Sequence, residues 1–173
     1  AETNLQTSTF YDSHPEYLIG VEGARGWEGK LAEVLPFLQD FAHAEVRALR
    51  RDIAVEACRR YDIAGFLYDF MRCPGYFKRG GEEAGLELMT GLMRETRRAL
   101  DAVGAAKGRY CGLAVRVPNT IAGSRRLGLD IAMWIGEGLV DLVVPSCFFA
   151  QDMEEDVAEW VALAAGPGCR SIR

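Results

Sequence analysis

The sequence predicts an α/β fold: part of a (β/α)8 barrel of the TIM type, with parallel strands alternating with helices. Three observations predict it. Strand-like and helix-like segments alternate from residue 40 onward, which implies βαβ units and right-handed crossovers. No Gly-x-Gly-x-x-Gly follows a strand and no Gly-x-x-x-x-Gly-Lys occurs, so a dinucleotide or nucleoside-triphosphate fold has no support. The polar residues Asp69 and Arg72, Arg116, and Ser146 stand where apolar strands end, the edge at which such a barrel carries its site. A whole barrel takes about 250 residues. The 173 residues here hold roughly half of one, three strands and a stub, so a fragment that self-associates through its incomplete barrel is expected.

Residues 1–39 read as an irregular, loop-rich segment, because "SHPEYLIGVEGARGWEGK" mixes Gly, Pro and aromatics without a period. The barrel portion is 40–173. Its first helix starts at Asp40 or His43 and ends at Tyr61-Asp62, with Val46, Leu49, Ile53, Ala57 and Cys58 at helical spacing. "IAGFLYDF" (63–70) is the first strand. "EEAGLELMTGLMRETRRALDAVG" follows as a helix with Leu86, Met89, Leu92, Met93, Thr96 and Leu100 on one stripe and Gly104 as its stop. "YCGLAVRVP" is the second strand. A shorter helical stretch covers Thr120 to Gly138, with Leu127, Ile131, Trp134 and Ile135 on one side. "LVDLVVPS" is the third strand, apolar enough to be covered on both faces. "DMEEDVAEWVALAAG" is a helix with an acidic first turn, which suits the positive end of its dipole. "GCRSIR" begins a fourth strand.

Composition narrows the function. A net charge of −5 argues against nucleic acid as a partner, since phosphate binding needs a basic surface. The clusters "VRALRR" and "RETRR" lie beside acidic residues in helical patterns and read as solvated faces. No apolar run reaches the ~18 residues that span a membrane. The polar start "AETNLQTSTF" does not read as a signal peptide, and without an initiator Met the true start is expected upstream. Cysteines at 58, 73, 111, 147 and 169 have no CxxC spacing, so neither a disulfide framework nor a zinc site is expected. His14 and His43 have no Cys or His partner nearby, and no metal or other cofactor is expected.

Alternation along the first strand places Ala64, Phe66, Tyr68 and Phe70 on one face and Ile63, Gly65, Leu67 and Asp69 on the other. The aromatic face suits packing on helices. The other suits a crowded barrel interior, with Gly65 making room and Asp69 at the open mouth. On the second strand Gly112, Ala114 and Arg116 repeat that pattern, which aims Arg116 at the same mouth. A carboxylate converging with two guanidinium groups is what recognition of a sugar or an acidic sugar needs; it is also an ion pair that closes a barrel. Tyr76 and Phe77 would stack on a pyranose face or anchor the loop. Trp134 lies at helical spacing and reads as core, whereas Trp27 lies in a Gly-rich loop.

"RYDIAGFLYDFMRCPGYF", "GLAVRVPNT" and "LGLDIAMWIGEGLVDLVVPS", in that order, resemble bacterial glycoside-hydrolase-like barrel proteins. There the first motif reads Y-D-hydrophobic-D-G-hydrophobic-E-L-D-F-x-R, the second strand ends in R-V-P, and the third motif is G-L-D followed by W-hydrophobic-x-E-G-L-V-D. The resemblance covers roughly residues 40–147. It implies a (β/α)8 barrel and a carbohydrate-related role, and Asp69, Arg72 and Arg116 match their counterparts there. Together with the strand-end pattern, the expectation is hydrolysis of glycosidic bonds, with Asp69 as acid, base or nucleophile and Arg72, Tyr76, Arg116 and Ser146 binding the carbohydrate. Two positions depart from the pattern: Ala64 stands for an Asp and Leu67 for a Glu. A looser likeness to family 18 chitinases, with D-G-x-D-x-D-x-E, would put Leu67 at the middle Asp and Met71 at the catalytic Glu, so that mechanism is not supported.

Glycosidic cleavage generally uses two carboxyl groups, about 5 Å apart for retention and roughly 6.5–9.5 Å for inversion. Asp69 is one. Asp152 would reach the mouth or cap the following helix. Glu137 and Asp141 precede the third strand, at the opposite end of a barrel. The alternative to a hydrolase is therefore a non-catalytic carbohydrate-binding barrel that has lost its carboxylates. A metal-dependent lyase or an aldolase trails, because no Lys ends a strand and no His cluster exists.

Overall fold

In the computed structural model, residues 9–25, 34–147 and 158–165 are described. Among them, three strands, β1 (Gly65–Asp69), β2 (Gly112–Pro118) and β3 (Leu142–Ser146), form one parallel sheet in the order β1-β2-β3. Seven helices accompany it: α1 (Thr9–Ser13), α2 (Gly20–Gly23), α3 (Ala44–Arg60), α4 (Glu82–Lys107), α5 (Ile121–Arg126), α6 (Ile131–Gly136) and α7 (Ala158–Ala164). The fold is thus α/β with parallel strands and intervening helices. The expectation of a closed (β/α)8 barrel goes beyond this sheet, and the fourth-strand stub lies outside the described residues.

The sheet's two faces differ as the alternation predicts. Tyr68, Phe70, Leu113, Val115 and Val117 are buried in the main core with Met89, Leu92, Met93 and Leu100 of α4 and Val46, Ala54, Val55 and Cys58 of α3. Branched and aromatic side chains fill that layer, and each fully buried one contributes roughly 1.5–3 kcal/mol of apolar transfer energy. On the opposite face Leu67 is 45% exposed and Leu142 51%. The third strand is therefore not covered on both faces by the described residues.

Gly65 answers a tighter demand than room inside a barrel. A Cβ there would stand 2.3 Å from the carbonyl oxygen of Gly112, its register partner on β2. Only a residue without a side chain lets the two backbones pair at that point. The pair belongs to the β1–β2 register that sets Asp69 opposite Arg116, and the β2–β3 register sets Pro118 opposite Ser146.

Two helix boundaries differ from the sequence reading. Gly104 does not stop α4; it is buried, and its bare Cα admits the Arg109 carbonyl. The helix runs on to Gly108, whose left-handed φ of 66° makes the C-cap. The stretch from Thr120 to Gly138 is two helices, broken where Gly128 takes φ 82° and passes Phe77 and the Glu82 carbonyl. Each half has its own N-cap: Thr120 accepts from Gly123 N–H and Asp130 from Met133 N–H. α3 agrees with the sequence reading at both ends: of the two starts offered, His43 is the N-cap residue, without a side-chain capping bond, and Tyr61 is the C-cap, while Asp40 accepts from Ala42 N–H at 2.9 Å.

The 1–39 segment contains short helical turns and a small buried cluster of Ile19, Ala24 and Leu35. An antiparallel bridge between Leu18 and Gln39 pins it beside the turn that leads into α3. At the N-terminal end of the sheet, Asp141 accepts from Leu113 N–H at 2.7 Å, from Arg97 at 3.1 Å and from the Tyr110 hydroxyl at 2.5 Å. Glu137 is held by two bonds from Arg94. Both carboxylates therefore sit in structural ion pairs.

Candidate functional site

The strand ends carry a row of linked polar groups. Arg116 donates through Nη1 to Asp69 Oδ2 at 3.2 Å and through Nη2 to Ser146 Oγ at 2.7 Å. Asp69 Oδ1 accepts from Met71 N–H at 2.8 Å, an Asx-type turn that bends the chain away from β1. One side chain from each of β1, β2 and β3 is thus joined across the sheet at its C-terminal edge. The cause is register: parallel pairing brings Asp69 level with Arg116, and equal side-chain parity points both to the face away from the helices. The pair is only half buried, with side-chain exposures of 38% and 36%, so both ends stay reachable from solvent.

A cleft of about 390 Å³ opens beside this row. Asp69, Arg72, Arg50 and Gln39 supply its polar lining, and Phe41, Phe66 and Ile53 part of its apolar wall. Arg72 is exposed and makes no hydrogen bond or ion pair among the described residues. Arg50 donates to Gln39 Oε1 at 2.7 Å, and its desolvation by the surrounding wall pulls the guanidinium pKa below its ordinary value. The structure therefore brings Asp69, Arg116 and Ser146 into one row and Arg72 to the adjoining cleft.

Of the two roles the sequence leaves open for Tyr76, stacking on a sugar or anchoring the loop, its surroundings match the second: it is 6% exposed. Its ring meets Phe41 and Phe70 edge-on at 5.6 and 5.5 Å, and its hydroxyl donates to the Phe70 carbonyl. Burial first, and then the nearby Asp69 charge, push the phenol pKa well above its ordinary value. Tyr76 anchors the loop and touches the cleft only from beneath. Phe77 is buried as well, closed in by Gly85 and Gly128.

Arg50 and Gln39 were not singled out from the sequence. Arg50 lies in "VRALRR", and its role depends on Gln39 being brought back by the Leu18–Gln39 bridge. A contact eleven residues apart across a non-helical turn leaves no periodic signal. Arg47 of the same cluster likewise donates to the carbonyls of Phe41 and Ala42 rather than projecting into solvent.

Leu67, which stands where the motif of the glycoside-hydrolase-like barrels has a Glu, lies on the open face of β1 beside Ala114. Asp69 is the sole carboxylate in the cleft lining among the described residues. Asp152, the second acid considered from sequence, and Trp27 lie outside those residues. No group of three or more His, Cys, Asp or Glu with metal-binding geometry occurs among the described residues. His14 stacks on Tyr17 at 4.8 Å, and His43 meets the same ring at a tilt, at 4.9 Å. No described helix is long and apolar enough to cross a membrane.

No protein-family model matches the chain, and no curated protein matches it. The resemblance of its motifs to glycoside-hydrolase-like barrels rests on the residues quoted above.

Proposed function

We propose that this chain is a carbohydrate-active, glycoside-hydrolase-like protein whose sugar site is the C-terminal edge of β1–β3, with the sheet as an arc of a (β/α)8 barrel. The observation that supports it most is the Asp69–Arg116–Ser146 row, a carboxylate, a guanidinium and a hydroxyl contributed by three consecutive parallel strands. Sugars are recognised by such convergent donors and acceptors on hydroxyl groups, beside an apolar wall. In this reading Asp69 is the acid, base or nucleophile. Arg116 fixes its orientation, and Arg72 and Ser146 bind substrate. Hydrolysis needs a second carboxyl group, so that one protonates the leaving oxygen while the other attacks the anomeric carbon or activates water.

The single carboxylate in the described cleft favours a second reading, a carbohydrate-binding barrel without catalysis. One experiment separates the two. The protein and its Asp69→Asn variant are assayed on a panel of aryl glycosides and polysaccharides, beside a binding titration. Turnover that Asp69→Asn abolishes while binding persists supports the hydrolase, because the amide keeps the shape and removes the proton-transfer group. Binding with no turnover supports the binding protein. Turnover unchanged in Asp69→Asn removes this residue from catalysis.

A further inference from the structure

The charges lining the cleft do not balance. Arg50 and Arg72 line it together with one carboxylate, Asp69, and Arg116 from the neighbouring strand already compensates Asp69. The excess is positive, in a protein whose net charge is −5. Local charge opposed to the global charge steers an anion into the cleft against the background field. Arg72 has no partner among the described residues, so its fork of donors is available to a ligand. Among the described residues the Arg50 guanidinium has one hydrogen bond, to an amide oxygen, and no carboxylate partner. Holding a charge against an apolar wall is unfavourable unless an opposite charge arrives.

Resting on the carbohydrate reading above, we infer that the cleft takes a sugar bearing a carboxylate, a uronate. Arg72 binds that carboxylate in the bidentate manner that planar guanidinium groups favour, and Arg50 adds a second positive group on the same wall. The neutral part of the ring meets Asp69 and the apolar side of the cleft. The volume, about 390 Å³, is at the low end of the roughly 300–1,000 Å³ of ligand sites and fits a short ligand.

The test is calorimetric titration of the protein with sodium glucuronate, glucose and sodium acetate, at low and at high salt. Glucuronate is expected to bind at least tenfold more tightly than either glucose or acetate, with the advantage over glucose reduced at high salt. Arg72→Gln should cut that advantage tenfold or more, and Arg50→Gln should reduce it further. Arg59→Gln, on the exposed face of α3, should leave it intact. Because Arg72 has no partner among the described residues, its variant is expected to keep the wild-type melting temperature. Glucose binding as tightly as glucuronate overturns the charge inference and leaves the carbohydrate reading standing. Acetate binding as tightly as glucuronate shows that no sugar ring is recognised and overturns both. Absence of binding by any probe does the same. A glucuronate preference that survives both arginine variants overturns the assignment of those residues.

Discussion

Replacing Arg116 by Met separates a functional row from a structural clasp. The pair it forms with Asp69 is 3.2 Å long and more than a third exposed at both ends. Pairs of that kind contribute about 0.2–1 kcal/mol. The bond to Ser146 at 2.7 Å adds roughly 0.5–1.5 kcal/mol net. Methionine keeps the unbranched stem that Arg116 lays along the sheet, so no cavity opens. The expected loss is about 1–2 kcal/mol, a fall of about 2–8 °C in melting temperature for a domain of this size. Urea denaturation reads it directly: the midpoint should fall while the m-value stays constant. The same variant should lose sugar affinity by tenfold or more. A loss of about 3–5 kcal/mol would mark a buried pair whose surviving partner is left uncompensated. The row would then be a clasp, and the argument for a site at these strand ends would fail.

Two further outcomes follow from the fold. Gly65→Ala puts a methyl group 2.3 Å from the Gly112 carbonyl and should cost about 2–3 kcal/mol by forcing β1 from β2; Gly91→Ala, with nothing within 4 Å, should be neutral or stabilising in the same urea titration. Tyr68 donates to the Arg50 carbonyl at 3.1 Å, and burial pushes its phenol up to about 12 from 10.0. Between those values the unfolded chain has lost a proton that the folded chain keeps, so stability falls as pH rises through the window. The wild type should therefore lose about 1.3 kcal/mol more than Tyr68→Phe between pH 9 and pH 11, measured by urea unfolding at each pH; equal losses would contradict the burial of that hydroxyl.

Much of the sheet was legible because strand parity is a short-range rule. Gly65, Leu67 and Asp69 share a face whatever surrounds them, and so do Gly112, Ala114 and Arg116. Pairing then needed only one register to bring Asp69 beside Arg116. Tyr76 was not legible in the same way. Its environment is made by Phe41, far back in the chain, and an aromatic in a loop looks the same in sequence whether its ring is free or packed. Arg50 was hidden by its neighbours: a basic cluster on a helix reads as solvated until a distant glutamine is folded onto it. The break at Gly128 was missed because apolar spacing continues across it from Leu127 to Ile131, and the left-handed turn is demanded by Phe77 rather than by anything nearby.

Sugar binding at the C-terminal edge of β1–β3 is tested most directly by mapping amide chemical shifts during titration with a panel of neutral and uronic sugars, which reports location without requiring turnover. Saturable shifts are expected only at Asp69–Cys73, Arg116–Pro118, Ser146 and the Gln39–Arg50 wall, and are expected to be lost in Arg116→Met. Shifts centred instead on the pocket between β3 and α7, around Val143 and Trp160, or no saturable shifts with any sugar, would contradict it.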